Sequence, residues 1–206
     1  MKTKTWTVFG AGHFINDIQD AIESNGQALK AVVLNMELSP DILNKIPRDA
    51  ELINIDKFRP STDCYFFGFT NPNKQDYLQS LAKYNLVYAN LIHKFSHVAR
   101  TVTMGQGNFV GAGAVLAPNI RLGDFNYINR TASIGHDTEV GSFNHFTPGC
   151  TVAGKCKIGS GNFFGIRSAI IDNLTLGDRI TVGAGGVVVK DTLKPGTYIG
   201  VPARLK

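Results

Sequence analysis

The second half of the chain carries an apolar residue at every sixth position without interruption. Seventeen consecutive sites follow this rule. They are Ile92, Val98, Met104, Val110, Leu116, Leu122, Ile128, Ile134, Val140, Phe146, Val152, Ile158, Phe164, Ile170, Leu176, Val182 and Val188. An apolar period near 3.6 indicates a helix and a period of 2 indicates a strand, so this pattern fits neither element alone. It is the hexapeptide signature of a parallel β-helix, with one hexapeptide on each side of a three-sided coil.

Small residues accompany these apolar sites. Glycine directly follows nine of the seventeen, at Gly105, Gly111, Gly123, Gly135, Gly141, Gly159, Gly165, Gly177 and Gly183. Because glycine adopts backbone conformations that other residues resist, we predict that these glycines form the corners of the coil. Small residues two positions before an apolar site are predicted to point inward, among them Ala114, Ala132, Thr138, Cys150, Cys156 and Ser168. Three hexapeptides close one coil, so residues eighteen apart form columns with a spacing of about 4.8 Å.

The first ninety residues follow strand and helix periods instead. Parallel strands are predicted at residues 5–9, 31–34 and 65–69, with a helix after the first strand and another, capped by Asn71 and Pro72, after the third. This alternation predicts a small, doubly wound, Rossmann-like α/β domain.

The predicted fold is therefore an α/β N-terminal Rossmann-like domain followed by an all-β parallel β-helix. We expect the first domain at residues 1–90, and the β-helix with a C-terminal cap at residues 91–206.

The turn Gly10-Ala11-Gly12 follows the first strand and is a candidate phosphate-binding turn, since backbone N–H groups at a helix N-terminus attract anions. The complete dinucleotide fingerprint, G-x-G-x-x-G, has a third glycine where this chain has Ile15. Asn35 stands where an acidic residue is expected, although its amide can still hydrogen-bond a base or a ribose. The alternative is a close-packed turn that binds no ligand.

Composition excludes several classes of protein. No apolar stretch reaches the roughly eighteen residues that cross a bilayer, and the first ten residues lack the features of a signal peptide. Three cysteines without close pairing favour a reducing compartment, so we expect a cytoplasmic protein. The net charge of +5 suits an anionic ligand, but no basic stripe or motif indicates binding to nucleic acid.

Four stretches of sequence identify a family. They are INRTASIGHDTEVGSFNHFTPGCTVAGKCKIGSGNFFGIRSA at 128–169, VGAGGVVVKD at 182–191, GVPARLK at 200–206 and NLIHKFSHVA at 90–99. With these motifs, nearly the whole chain resembles the sugar acyltransferases of the left-handed β-helix superfamily. It is most similar to the nucleotide-amino-sugar N-acetyltransferases, often described as sialic acid O-acetyltransferase-like. The resemblance implies a left-handed coil and a homotrimer.

The resemblance also assigns roles to individual residues. In the family, the histidine of an S-I-x-H-[DE] stretch is the general base and the next residue orients it, which implies His136 and Asp137 here. The implied acetyl-CoA-binding residues are His145 near the thioester, Gly154 with its N–H toward the carbonyl oxygen, Gly183, Lys190 and Arg204. The implied acceptor-binding residues are Asn129, Gly10, Gly12, His13 and Asn35.

The position of His136 in the repeat supports its role independently. It is the third residue of its hexapeptide, so its side chain is not required to point into the core, and Asp137 and Glu139 beside it are polar. Gly154 lies eighteen residues further and Lys190 fifty-four, which places Lys190 about 14 Å along the column. That distance suits an extended pantetheine arm with its phosphates toward Lys190 and Arg204.

The first turn departs from the family pattern. Many relatives carry Gly-Gly-His-Gly there, whereas this chain has His13, Phe14 and Ile15 after Gly12, and we expect Phe14 and Ile15 to crowd a pyrophosphate. Three explanations remain open. Gly12 and His13 can serve as the Gly-His pair of a shorter turn, the nucleotide can be dTDP or GDP instead of UDP, or the acceptor can be a free sugar, an amino acid or an alcohol.

The expected function is acetyl-CoA-dependent N-acetylation of a nucleotide-linked sugar of the 4-amino-4,6-dideoxy type, by direct transfer and without a metal. One alternative is O-acetylation of a sugar or another hydroxyl acceptor, since the same base serves both. A second is a non-catalytic binding protein with the same fold. A third is a γ-type carbonic anhydrase, which needs three histidines on Zn²⁺; the spacing of the five histidines here does not suit it.

Overall fold

The structure is a computed structural model that describes residues 4–34, 37–61, 63–68 and 74–206. The chain forms two compact units, the first ending at Lys94 and the second spanning Phe95–Lys206. The division thus falls at residue 94 where the sequence predicts 90. No helix in the described part of the chain is long and apolar enough to cross a membrane.

The first unit contains a four-stranded parallel sheet. Its elements are β1 (Thr5–Phe9), α1 (Ile15–Ser24), β2 (Ala28–Leu34), α2 (Pro40–Leu43), β3 (Glu51–Asn54), β4 (Cys64–Phe67), α3 (Lys74–Leu81) and β5 (Leu91–Ile92), with short 3-10 helices at Ile55–Lys57 and Ala82–Tyr84. The strand order is β3-β2-β1-β4, with every neighbouring pair parallel. This small parallel sheet confirms the α/β class of the unit, while its Rossmann-like character stays a prediction.

The sequence predicts three of the four strands in this sheet. It misses β3 because that strand lies at the sheet edge and exposes most of its side chains, so it has no apolar alternation. The helix predicted after the first strand is confirmed as α1, which buries Ile15, Ile18 and Ile22. The predicted cap at Asn71 and Pro72 lies outside the described residues.

The second unit is a parallel β-helix with three sheets, which we call the first, second and third faces. The first face contains β6 (His97–Val98), β9 (Val115–Leu116), β12 (Ser133–Ile134), β15 (Thr151–Val152), β18 (Ala169–Ile170) and β21 (Val187–Val188). The second contains β7 (Thr103–Met104), β10 (Arg121–Leu122), β13 (Glu139–Val140), β16 (Lys157–Ile158) and β19 (Thr175–Leu176). The third contains β8 (Phe109–Val110), β11 (Tyr127–Ile128), β14 (His145–Phe146), β17 (Phe163–Phe164), β20 (Ile180–Val182), β22 (Gly196–Ile199) and β23 (Arg204–Leu205).

The strand register confirms the predicted coil of eighteen residues. Leu122, Val140 and Ile158 pair in succession on the second face, and the other faces follow the same step. The fourteen apolar sites from Val110 to Val188 are buried. The small inward residues are buried too, and burial raises the pKa of the Cys150 thiol to about 12, so this cysteine is an inert core residue. The left-handed sense of the coil stays a prediction.

The prediction that the glycines after the apolar sites supply corner conformations is wrong. Those nine glycines lie outside the left-handed region, which is adopted two residues later by residues such as Phe125, Asp137 and Gly107. The glycines are needed for close approach between coils. A Cβ atom on Gly135, for example, would lie 2.5 Å from the backbone nitrogen of Gly154.

A ladder of buried asparagines runs through the core beside the third face. Asn108, Asn126, Asn144 and Asn162 are spaced by eighteen residues, and each is at most 2% exposed. The Nδ2 atoms of Asn126 and Asn144 donate to the Oδ1 atom of the asparagine one coil earlier, at 3.1 and 2.9 Å. The ladder links successive coils and pairs most of its own buried polar atoms, while Nδ2 of Asn162 has no hydrogen-bond partner among the described residues.

Candidate active site

His136 and Asp137 lie on the edge where the first face turns into the second. They connect β12 to β13, and both side chains are about half exposed. Nδ1 of His136 lies 2.7 Å from Oδ2 of Asp137. The left-handed backbone of Asp137, with φ 57°, turns its carboxylate back onto the preceding residue. A carboxylate on Nδ1 leaves Nε2 as the basic nitrogen of a neutral imidazole.

Asn119 is a residue of this site that sequence analysis did not identify. Its Nδ2 donates to Oδ1 of Asp137 at 3.0 Å, opposite the oxygen that faces His136. The hydrogen bonds from His136 and Asn119, together with the charge of Lys155, lower the pKa of the Asp137 carboxyl. The signal was present in the sequence, because Asn119 precedes Asp137 by one coil of eighteen residues.

Gly154 lies one coil from His136, as the column predicts. The backbone N–H of Lys155 donates to the carbonyl oxygen of His136 at 2.8 Å, which fixes this register. A Cβ atom at position 154 would lie 2.9 Å from Nε2 of His136, so the imidazole packs against the glycine backbone. The N–H of Gly154 donates no hydrogen bond within the described parts of the chain. It can therefore donate to a ligand held beside Nε2.

His145 lies on the third face, in β14, and the third face is opposite the edge that carries His136. Its ring makes edge-on contacts with Phe163 at 5.3 Å and with Tyr127 at 6.0 Å between centroids. One chain therefore does not bring His136 and His145 together.

Lys190 and Arg204 are separated in the same way. Lys190 is exposed after β21, on the edge that carries His136. Arg204 is exposed in β23, on the third face with His145. Four of the five predicted acetyl-CoA residues thus divide into two sets, with Gly154 and Lys190 on the His136 edge and His145 and Arg204 on the opposite face.

Asn129 and Gly183 lie on a different edge, where the third face turns into the first. The side-chain oxygen of Asn129 accepts from the backbone N–H of Arg130 at 2.7 Å, and the residue is 6% exposed. The N–H of Gly183 donates to the carbonyl oxygen of Tyr198 at 2.8 Å. Within one chain, neither residue joins His136.

The glycine-rich turn of the first unit is open at its tip. Gly10 has φ 85° and donates its N–H to Val33, whereas a Cβ atom at Gly12 would meet no atom within 4 Å. His13 is exposed at the same turn, with Nδ1 3.1 Å from Nζ of Lys45. The turn therefore leaves room for a ligand at Gly12 and His13.

Two sequence expectations about this turn have different outcomes. The expectation that Ile15 crowds a pyrophosphate is wrong, because its side chain is fully buried as the first residue of α1. Asn35 lies outside the described residues. Gly68, which follows β4, was not identified from the sequence; a Cβ atom there would lie 2.8 Å from the carbonyl oxygen of Gly10. Gly68 thus allows the connections after β1 and β4 to pack closely.

No group of three or more His, Cys, Asp or Glu residues among the described positions could hold a metal ion. The five histidines are dispersed over both units, as the sequence indicates. The γ-type carbonic anhydrase interpretation therefore has no supporting geometry within one chain.

No protein-family model matches the sequence, and no curated protein sequence matches it either. The fold, however, is close to that of several solved structures. PerB from Caulobacter crescentus, in complex with CoA and GDP-perosamine, superposes with a TM-score of 0.87 at 25% identity over 100% of this chain and 98% of that one. Two variants of the perosamine N-acetyltransferase from the same organism, with one histidine replaced by asparagine or alanine, were solved with the same ligands.

Two structures with lower sequence identity have the same fold. The acetyltransferase domain of PglB from Neisseria gonorrhoeae, solved with acetyl coenzyme A, has a TM-score of 0.88 at 22% identity over 99% of this chain and 100% of that one. WeeI from Acinetobacter baumannii has a TM-score of 0.85 at 21% identity over the same shares of the two chains. The neighbours from Caulobacter crescentus and Neisseria gonorrhoeae are acetyltransferases by name, and these structures confirm the resemblance drawn from the sequence.

Proposed function

We propose that the protein is an acetyl-CoA-dependent N-acetyltransferase, and that it acts on an amino group of a nucleotide-linked sugar of the 4-amino-4,6-dideoxy type. The observation that carries the proposal is the His136–Asp137 pair on an exposed edge of a β-helix, with Gly154 against the imidazole. PerB, which is 25% identical, was solved with CoA and GDP-perosamine, and this complex supports a CoA thioester as donor and a nucleotide-linked sugar as acceptor.

The reaction is a direct transfer. The acceptor nitrogen attacks the thioester carbonyl carbon while Nε2 of His136 takes a proton from that nitrogen. Asp137 holds the other ring nitrogen and stabilises the imidazolium that forms. The N–H of Gly154 donates to the carbonyl oxygen as it gains negative charge. The C–S bond then breaks and CoA leaves as the thiolate. His136 passes the proton that it took from the nitrogen to the sulfur.

No residue of the site serves as a covalent nucleophile in this proposal. Cys150 and Cys156 are fully buried, and burial raises the pKa of both thiols. The acetyl group therefore passes from sulfur to nitrogen without an acyl-enzyme.

We propose a homotrimer because the predicted acetyl-CoA residues lie on opposite sides of one β-helix. Packing the His136 edge of one subunit against the third face of the next would bring His145 of that second subunit to the His136–Asp137 pair of the first. The same packing would bring Lys190 and Arg204 toward one another further along the axis. A single rotation between subunits would therefore bring both pairs of residues together. This supports a cyclic assembly with one site at each interface.

We propose that the first unit binds the nucleotide of the acceptor. In an open parallel sheet, ligands bind beyond the carboxyl ends of the strands where the strand order reverses. In the order β3-β2-β1-β4, this is the crevice after β1 and β4, where Gly10, Gly12 and His13 lie. We also propose that the protein acts in the cytoplasm. Its donor is acetyl-CoA and its three cysteines are free thiols, which suits a reducing compartment.

The test is release of free thiol from acetyl-CoA with GDP-, dTDP- and UDP-linked 4-amino sugars. The proposal predicts release with one of these amino sugars, and a product whose acetyl group resists mild base, as an amide does. An acetyl group lost in mild base would indicate O-acetylation instead. No release with any amino sugar, while acetyl-CoA still binds, would contradict the proposed acceptor class.

A further inference from the structure

We propose that Asn119 is a positioning residue of the active site, which holds the Asp137 carboxylate in the orientation that serves His136. The inference rests on the proposed function and extends the dyad to an Asn119–Asp137–His136 relay. Each member is joined to the next by a side-chain hydrogen bond, at 3.0 Å from Asn119 to Asp137 and 2.7 Å from Asp137 to His136.

The two hydrogen bonds occupy different oxygens of Asp137. Oδ1 accepts from Asn119 and Oδ2 faces His136, so the amide fixes the plane of the carboxylate without competing for the imidazole. Without the amide, a half-exposed carboxylate can rotate toward water and leave Nδ1. Loss of that contact would leave either ring nitrogen of His136 able to carry the proton.

The backbone of the β-helix builds this contact. Asn119 and Asp137 occupy the same corner position in successive coils, with φ 64° and 57°. Asn and Asp tolerate the left-handed region better than other residues with side chains. The backbone N–H of Asn119 donates to Oγ1 of Thr101 one coil earlier at 2.9 Å, so the backbone that carries the amide is anchored.

The charges around the carboxylate are mixed. Lys155 lies one coil beyond Asp137 and stabilises the ionised form. Arg121 and Glu139 line the same cleft beside Asn119 and Asp137, and they pair with each other at 2.8 Å. Unlike these charged neighbours, Asn119 is neutral and hydrogen-bonds the Asp137 carboxylate directly. A charged side chain at position 119 would act on the His136–Asp137 pair at short range.

Asn119→Gly is the direct test, because glycine keeps the left-handed corner free of strain and removes only the amide. We expect kcat to fall about tenfold, the size expected for one hydrogen bond to a charged group, with KM for both substrates unchanged. Asn173→Gly is the matched control. Asn173 has the same corner conformation, with φ 59°, two coils beyond Asp137, and its amide bonds Asp172 instead.

The pH profile separates positioning from a structural role. If the amide of Asn119 holds Asp137 on Nδ1, its loss in Asn119→Gly weakens the interaction that stabilises the protonated imidazole, so the acid limb of the kcat/KM profile should move to lower pH. Loss of a purely structural residue would change stability without moving this limb.

The outcomes distinguish the two proposals. If the wild type transfers no acetyl group, the proposed function fails. If His136→Ala abolishes transfer while Asn119→Gly keeps the wild-type kcat, or leaves the acid limb in place, then the positioning role is wrong. A loss in Asn173→Gly equal to that in Asn119→Gly would also overturn it.

Discussion

The imidazole of His136 lies flat against Gly154 of the next coil. A Cβ atom at position 154 would lie within 2.9–3.1 Å of three ring atoms, Nε2, Cε1 and Cδ2. Gly154 is outside the left-handed region, so its backbone conformation does not require glycine. The close approach of the ring is the reason for glycine at this position.

Gly154→Ala should therefore preserve the fold and reduce catalysis. The added methyl group displaces the imidazole from its place beside the N–H of residue 154, and a misplacement near 1 Å can lower the rate about 10²-fold. Thermal unfolding and kcat are measured together. Asp172→Ala, one coil further along the same column, is the control, and equal losses in the two variants would contradict this explanation.

Subunit mixing tests the proposed trimer. His136→Ala and His145→Ala are unfolded separately, refolded together and assayed. In an interface that combines the edge of one subunit with the face of another, about one site in four regains both histidines after random assembly. Recovery toward a quarter of wild-type activity is expected, well above the mean of the two variants. No recovery in mixed trimers would mean that each site uses one subunit.

The asparagine ladder predicts a stability effect remote from the active site. Asn126 links Asn108 to Asn144, and replacing it with alanine leaves buried amide groups on both neighbours without this partner. An unsatisfied buried polar group costs about 1–3 kcal/mol. Denaturant unfolding of Asn126→Ala should show a loss of this order. An exposed control, Asn173→Gly, keeps its left-handed backbone free of strain and should lose less, and an equal loss would contradict a special role for the ladder.

The lowered pKa of Asp63 predicts that the first unit becomes less stable at acid pH. Hydrogen bonds from Ser61, Thr5 and Lys30 outweigh the effect of burial and lower its pKa to about 2. A carboxyl whose pKa is lower in the folded state stabilises the fold above its unfolded value of 3.8, and this contribution disappears as the pH falls toward 2.

Asp63→Asn removes that contribution. The Tm of the variant should be a few degrees below that of the wild type at pH 7, and the difference should shrink between pH 4 and pH 2. Thermal scans in buffers of matched ionic strength provide the measurement. A difference in Tm that is the same at every pH would show that the effect is steric.

The sequence predicted the β-helix well because burial inside the coil is strictly periodic. The exposure of His136 followed from the same period, since its position in the hexapeptide keeps the imidazole out of the core, whereas its role as the base came from the resemblance. Asn119 and the buried asparagines were missed because polar residues give no signal in an apolar pattern, although both sets repeat at eighteen residues. Strand β3 was missed because it is exposed at a sheet edge.

The division of the predicted acetyl-CoA residues between two sides of the β-helix was also implicit in the sequence. His145 follows His136 by nine residues, which is one and a half hexapeptides, so the two cannot share an edge of the coil. The assignment of both residues to one site came from the resemblance, which describes an assembly. Tracing one chain through its coils separates the two residues, which is why we propose an assembly.

The most direct test of the central claim is the single-turnover rate of acetyl transfer from acetyl-CoA to a nucleotide-linked 4-amino sugar, for the wild type and for His136→Ala. Circular dichroism on the same samples verifies that the β-helix is folded. We predict transfer to nitrogen by the wild type and a rate lower by about 10²–10⁴-fold in the variant, the range that a general base contributes. A folded variant with a rate within tenfold of the wild type would contradict the assignment of His136 as the base.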